Sequence, residues 1–274
     1  MTAPRPLLSL DGRRYLVIGG GQGMGQATCL LLAEVGADVA VLDRSPELAN
    51  PTVEQIRELG REGVAVVADV LDDEALRLGI DRANEALGPL DGLVTIVGRA
   101  VWAPLLEMTA EQWSEAHDIN LRYAFIAAQH FARRAVETAA SGAIVLVASV
   151  DGIRSAPDHA GYGAAKAGLL NLVKSAAIEW APHGLRVNAI APGAIVSPRI
   201  PLRSAEEEMA LMHRVPVQAR GTSGDIAGAV AFLLSDLAGY VTGQKIAVDG
   251  GLTAVGPLEY GSERQKLGPP HKAM

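Results

Sequence analysis

Short apolar runs alternate with amphipathic stretches along almost the whole chain. Residues 14–18 carry four consecutive apolar side chains, too few for a helix and enough for a buried strand. That run enters Gly19-Gly20-Gly21-Gln22-Gly23-Met24-Gly25, an Ala/Leu-rich helix follows over 26–35, and a second strand covers 38–43. The pattern then predicts a helix over 52–62, a strand over 64–68 ending in Asp69-Val70, and a helix over 72–87 with Asp72 as its N-cap. A strand over 90–97 ends at Gly98. Thr109 opens a long helix that carries Asn120 near its middle. A strand over 142–149, a helix over 160–181 and a strand over 186–191 come next, the last ending at Pro192-Gly193. Helices over 205–214 and 223–235 and a strand over 245–248 complete the series. Strands separated by helices throughout predict an α/β protein: one domain over 1–255, with a doubly wound parallel sheet of about seven strands covered on both faces. Residues 256–274, with three Pro and three Gly, read as an irregular tail.

Composition narrows the class. The chain is 49% hydrophobic but only 4% aromatic, so its core must be built from Ala, Val, Leu and Ile. A net charge of −7 argues against a nucleic-acid partner. One cysteine, Cys29, excludes an internal disulfide and a cysteine-cluster metal site, and fits a reducing compartment. No apolar run reaches the length of a membrane span, and residues 1–10 lack a leader-like pattern. The expectation is a soluble cytoplasmic protein with no metal and no membrane partner.

Two stretches carry candidate chemistry. The first is the glycine turn. Strict G-x-G-x-x-G fails, but G-x-x-x-G-x-G holds at Gly19, Gly23 and Gly25. Between a strand and a helix, such glycines let the backbone approach a pyrophosphate, and the helix N-terminus points its free N–H groups at it. The plain alternative is a tight turn. Asp43, at the end of the second strand, can accept hydrogen bonds from ribose hydroxyls and would repel a 2′-phosphate. No basic residue lies between Gly19 and Gly25, although Arg44 follows Asp43 directly. This favours NAD(H) over NADP(H). The second stretch is Ser149 to Lys166, with Tyr162-x-x-x-Lys166. On a helix that spacing puts both side chains on one face. A Lys ammonium beside a phenol is expected to lower its pKa below about 10, so that it exchanges protons near neutral pH. A hydroxyl from Ser149, at a strand end, can hydrogen-bond the reacting oxygen. Gly19, Asp43, Asp69, Gly98, Ser149 and Pro192 all end or follow strands, where sheets of this kind bind ligands.

Gly19-x-x-x-Gly23-x-Gly25, Asp69-Val70, Asn120, Ser149, Tyr162-x-x-x-Lys166, Pro192-Gly193 and Val248-Asp249-Gly250-Gly251 together resemble the short-chain dehydrogenase/reductase family, over residues 11–251. The resemblance implies a Rossmann fold and a catalytic set of Asn120, Ser149, Tyr162 and Lys166. Tyr162 would be the general acid/base and Ser149 would polarise the substrate oxygen. Lys166 would bind the nicotinamide ribose and tune Tyr162, and Asn120 would hold a proton-relay water. The cofactor would meet Gly19, Gln22, Gly23, Met24, Gly25, Asp43, Arg44, Asp69, Val70, Val97, Gly98, Tyr162, Lys166, Pro192, Gly193 and the backbone of Ile195. A homotetramer, or a dimer, is also implied. Two departures stand out. The family's Asn-Asn-Ala-Gly is Thr95-Ile96-Val97-Gly98, and its Thr before the glycine turn is Ile18. Both remove side-chain hydrogen bonds from the cofactor side of the sheet.

The substrate side is less sharply written. A lid at about 197–216 with Met209 and Met212, and Trp102 after Gly98, are candidate apolar walls, or ordinary packing. Asp151 and His159, near Arg154 and Asp158, flank the catalytic residues and would meet a polar substrate group, or are solvated loop charges. The expected activity is interconversion of a secondary alcohol and a ketone on a small, largely apolar substrate. One alternative is a reductase for 3-oxoacyl thioesters on an acidic carrier protein, but residues 136–141 offer no basic dock. Another is a catalytically silent NAD-binding sensor or scaffold, against which the intact Ser-Tyr-Lys-Asn set argues.

Overall fold

Strands β1 (Arg14–Ile18), β2 (Asp38–Asp43), β3 (Gly63–Val67), β4 (Gly92–Thr95), β5 (Gly142–Val147), β6 (Leu185–Pro192) and β7 (Lys245–Val248) form one sheet in a computed structural model. The order is β3-β2-β1-β4-β5-β6-β7, and every neighbouring pair is parallel. The structure describes residues 8–198, 200–213 and 215–255, so the tail expected over 256–274 lies outside it. Side chains alternate between two cores. Leu16, Ile18, Ala40 and Leu42 pack with α3 (Asp73–Leu87), α5 (Tyr123–Glu137) and α6 (Ala160–Trp180). Tyr15, Val17, Val39 and Val41 pack with α1 (Gly23–Glu34), α2 (Pro46–Glu58) and α8 (Ser223–Leu234). Burial on both faces is why the central strands read as continuous apolar runs rather than alternating ones.

The helices differ from the sequence pattern where a local device intervenes. Helix α2 starts at Pro46, not near Thr52, because Pro46 sits in its first turn after an extended Ser45, where a missing N–H costs nothing. Pro51 inside the same helix obscures that start in the sequence. Asp72 caps α3 as expected, accepting from the N–H groups of Glu74 and Ala75. Thr109 opens α4 (Ala110–His117) through a reciprocal capping box with Gln112. The long helix expected beyond it is broken by a π-turn at Asp118–Arg122 before α5 resumes. The strand expected over 90–97 is only Gly92–Thr95, although the Ile96 N–H still reaches the Ile18 carbonyl at 3.0 Å.

The order places β1 at the turning point. The chain leaves β1 towards β2 and β3 on one side and returns to β4 on the other. The connections after β1 and β4 therefore diverge, opening a crevice at the carboxyl ends of the strands. The glycine turn, Asp43, the Gly98 loop, Ser149 and Pro192 all follow strands at that end.

Candidate functional site

The glycine turn is shaped by close backbone contacts. A Cβ on Gly25 would lie 1.9 Å from the Gly19 carbonyl oxygen, so only glycine lets α1 begin against the turn. Gly23 has φ +56, and the groups facing its missing side chain belong to the lid, Pro198 at 3.5 Å and Ser197 at 3.7 Å. The residue before α1, Gln22, is extended and makes no side-chain cap. The first-turn N–H groups of α1 thus face the crevice without a protein cap, the arrangement that binds an anionic phosphate. Asp43 accepts from the N–H of Gly21 at 3.0 Å and of Arg44 at 2.8 Å. It braces the turn and presents its remaining lone pairs at the end of β2, while the Arg44 side chain is exposed. Asp69, on β3's far end, turns its carboxylate to the Leu71 N–H at 2.9 Å beside the buried Val70. Across the sheet, Gly193 abuts Asp249, where a Cβ would come within 2.8 Å of its Cα. Ile195 buries its side chain, and its bridge to Gly221 uses the carbonyl of Ala194 and the N–H of Val196. That leaves the N–H and C=O of Ile195 on the opposite side of the strand. Uncapped N–H groups, a carboxylate and free backbone groups along one crevice fit a dinucleotide.

Ser149, Tyr162, Lys166 and Asn120 come together at the ends of β4 and β5. The Ser149 hydroxyl oxygen accepts from the Asp151 N–H at 3.1 Å, which leaves its own proton for an oxygen in front of it. It lies near the Tyr162 phenol, close enough to temper that group's pKa. Gly152 permits this approach, since a Cβ there would lie 2.7 Å from the Lys166 backbone carbon. Lys166 is fully buried and donates from Nζ to the Val147 carbonyl at 3.0 Å. Its Nζ is 5.7 Å from the centre of the Tyr162 ring. The expectation that Lys166 pulls the Tyr162 pKa below 10 is not met. Burial pushes the phenol above its ordinary value, the nearby Ser149 hydroxyl only partly offsets this, and Asp151 adds to it. Burial also lowers the Lys166 ammonium to about 7. Each group loses more by leaving water than it gains from the other across that separation.

Asn120 sits inside the π-turn, a device that re-aims a side chain within a helix and recurs at functional sites. Its amide donates to the carbonyls of Ala116 and Arg99, both at 2.8 Å, and its oxygen accepts from the Arg99 N–H at 3.0 Å. Asn120 thus pins the loop after β4. The same loop has a brace that sequence reasoning missed. Tyr123, fully buried on α5, donates to the Val97 carbonyl at 2.7 Å and so supports the segment whose family asparagines are absent. On the substrate side Met212 is buried, whereas Met209 is 70% exposed. Trp102 lies over His159, with ring centres 3.6 Å apart, and His159 is 5.4 Å from the Tyr162 ring. The lid helix α7 (Ala205–Met212) is capped by Ser204 and Glu207 and tied down by a Glu208–Arg220 ion pair at 2.9 Å.

A family model described as enoyl-(acyl carrier protein) reductase matches residues 19–253. The cis-4-hydroxycyclohexanecarboxylate dehydrogenase of Sinomonas cyclohexanicum is 39% identical over 89% of this chain and 97% of its own. The chain belongs to the short-chain dehydrogenase/reductase family. A second relative within that family, the 3-oxoacyl-[acyl-carrier-protein] reductase of Staphylococcus aureus, is 39% identical over 86% of this chain and 96% of its own. The crystal structure of levodione reductase superposes with a TM-score of 0.84 at 32% identity, covering 89% of this chain and 99% of that one. As a short-chain dehydrogenase/reductase the protein is an oxidoreductase acting on CH–OH or ketone groups. Among the described residues no helix is long and apolar enough to cross a membrane.

Proposed function

We propose that the protein interconverts a secondary alcohol and a ketone on a small free substrate, using NAD(H). The observation that carries this reading is the convergence of Ser149, Tyr162 and Lys166 beside the uncapped glycine turn. When bound, the nicotinamide supplies the hydride acceptor or donor. The chain's own groups handle position and protons. Ser149 donates a hydrogen bond to the substrate oxygen. Tyr162 gives that oxygen a proton during reduction and takes it back during oxidation. Lys166, anchored on Val147, is placed to hold the ribose, and Asn120 keeps the loop after β4 closed against it. The neutral phenol that burial favours is the form ready to donate. A screen of secondary alcohols with NAD, read by the absorbance of the reduced cofactor, tests the reading. No turnover across such a panel would sink it in favour of a silent nucleotide-binding protein. The Staphylococcus relative supports a second reading, reduction of a carrier-bound 3-oxoacyl thioester. It ranks below because residues 136–141 hold no basic side chain.

The preference for NAD over NADP rests on Asp43, whose carboxylate would face a 2′-phosphate. Parallel titrations should give NAD at least about tenfold tighter binding, ~1.4 kcal/mol. Equal or tighter NADP binding would discard the preference and point to Arg44 as the phosphate ligand.

The assembly we propose is a homotetramer. The apolar residues Ala124, Ala127, Ala128, Leu169 and Ala176 of α5 and α6 are spent in the protein's own core. The outer faces of α5 and α6 instead leave Phe125, Val136 and Ile178 40%, 41% and 77% exposed, a surface suited to a second copy. Light scattering should give four times the chain mass, and a monomer mass at micromolar concentration would refute the assembly.

A further inference from the structure

The loop after β4 lies between the two halves of the crevice. Val97 packs on the glycine turn: a Cβ on Gly19 would come 2.7 Å from its Cγ2 and 3.2 Å from its backbone N. Gly98 backs onto the catalytic set: a Cβ there would come 2.9 Å from Asn120 Oδ1 and 3.2 Å from Lys166 Nζ. Residues 97 and 98 are therefore a spacer between the groups that face the phosphates and the ammonium placed to hold the ribose. Yet β4 has already ended at Thr95. The last backbone bond from this stretch to the sheet runs from the Ile96 N–H to the Ile18 carbonyl, at 3.0 Å. The next anchor is Arg99, held at both its N–H and its carbonyl by Asn120. Between the two, among the described residues, the spacer has one hydrogen bond: the Tyr123 hydroxyl donates to the Val97 carbonyl at 2.7 Å.

Tyr123 suits that task by its place in the fold. It opens α5 directly after the π-turn and is 2% exposed, so its ring is fixed in the core. Burial holds the phenol above its ordinary pKa, which keeps it a donor. A second hydroxyl at the same depth lacks that task. Thr95 is fully buried close to the Tyr123 phenol, and its Oγ1 has no hydrogen-bond partner among the described residues. We infer that Tyr123 is a positioning residue for the dinucleotide: by fixing the Val97 carbonyl it sets the spacing between the glycine turn and Lys166. Without that bond residues 97 and 98 are free to move off Gly19, and the cofactor must order them as it binds, at a cost in affinity. The inference rests on the nucleotide-binding part of the reading above and is independent of which alcohol is oxidised.

The test titrates NAD, and separately NADP, into the full chain by calorimetry, and takes a melting curve of each protein without cofactor. The pattern is read on whichever dinucleotide the wild type binds more tightly. Tyr123→Phe keeps the ring and removes the bond, and should weaken binding about tenfold, the scale of one buried hydrogen bond. Thr95→Val removes the neighbouring hydroxyl, which bonds nothing, and should leave the affinity within about twofold. Val97→Ala should also weaken binding. Tyr123→Phe added to it should cost clearly less than it does alone, because the two act along one route. With cyclohexanol as the probe alcohol, Tyr123→Phe should raise the KM for the dinucleotide and leave kcat at saturation near the wild-type value. An unchanged affinity in Tyr123→Phe, with or without a lower melting temperature, would overturn the inference. So would an equal loss in Thr95→Val, or additive losses in the double variant. Val97→Ala probes the same route without touching the core, and unchanged affinity there would overturn the inference as well. The dehydrogenase reading fails separately: the expected binding pattern with no alcohol oxidised would sink that reading and support the positioning role. Wild-type binding of neither dinucleotide would overturn both.

Discussion

Tyr162→Phe is expected to lower turnover by about 10²- to 10⁴-fold, the usual loss when a general acid/base is removed. The ring and its packing stay, so folding should be unaffected. NAD binding should survive too, because the glycine turn, Asp43 and the Ile195 backbone are untouched. The structure adds a spectroscopic expectation. The phenol is buried, and its pKa lies above the ordinary value of 10.0 in the protein without cofactor. An ultraviolet titration should therefore show no tyrosine ionisation below pH 10 that the substitution removes. Since the phenolate is the form that takes a proton from an alcohol, wild-type oxidation should speed up as pH rises. Reduction draws on the neutral phenol and should not. Near-wild-type turnover in Tyr162→Phe would mean the acid/base is elsewhere, with Asp151 and His159 the nearest candidates.

Lys166→Met should cost at least as much activity as the loss of Tyr162, yet leave a protein that is no less stable. The reason lies in burial. Lys166 is fully enclosed, with a single hydrogen bond to the Val147 carbonyl, and its pKa falls from 10.5 to about 7. Between those values the unfolded chain holds a proton that the folded one has released. Wild-type stability therefore rises with pH across that window, while below about 7 the cost of an enclosed ammonium is felt in full. The variant has an apolar chain of similar length and no such dependence. Its advantage in melting temperature should be largest near pH 6 and shrink towards pH 9. Thermal melts of both proteins at the two pH values check this. An unaltered turnover would show that Lys166 does not hold the ribose, and a melting difference independent of pH would show that it is not a strained buried cation.

Much of this site is readable from the chain because its logic is local. The run at 14–18 followed by glycines announces β1 and its turn, since a doubly buried strand leaves no polar position to confuse the period. Tyr162 and Lys166 are four apart, and Asp72 stands one residue before its helix. What the chain hides depends on distance and burial. Nothing in the neighbourhood of Tyr123 shows that its hydroxyl reaches Val97, 26 positions back. The bond from Asp43 to the Gly21 N–H and the pairing of Asp151 with His159 are likewise contacts of side chains with no sequence period. The sign of the Tyr162 shift departs from the pattern of the sequence for a related reason. Adjacency on a helix predicts attraction between Lys and phenolate, but desolvation decides the outcome, and desolvation belongs to the folded protein.

The π-turn at Asp118–Arg122 makes the middle of that helix a counting joint. It spends one residue more per turn than the α-helices on either side, and each residue of an α-helix advances the face by about 100°. Upstream, Asn120 must meet Arg99 and Ala116; downstream, Ala124, Ala127, Ala128 and Phe131 must meet the sheet. Both demands are satisfied only at the present length. A substitution in 118–122 changes one contact, whereas loss of a single residue would force a choice between the loop after β4 and the core. The segment should therefore drift in letters but not in length, and any engineered insertion belongs beyond Glu137.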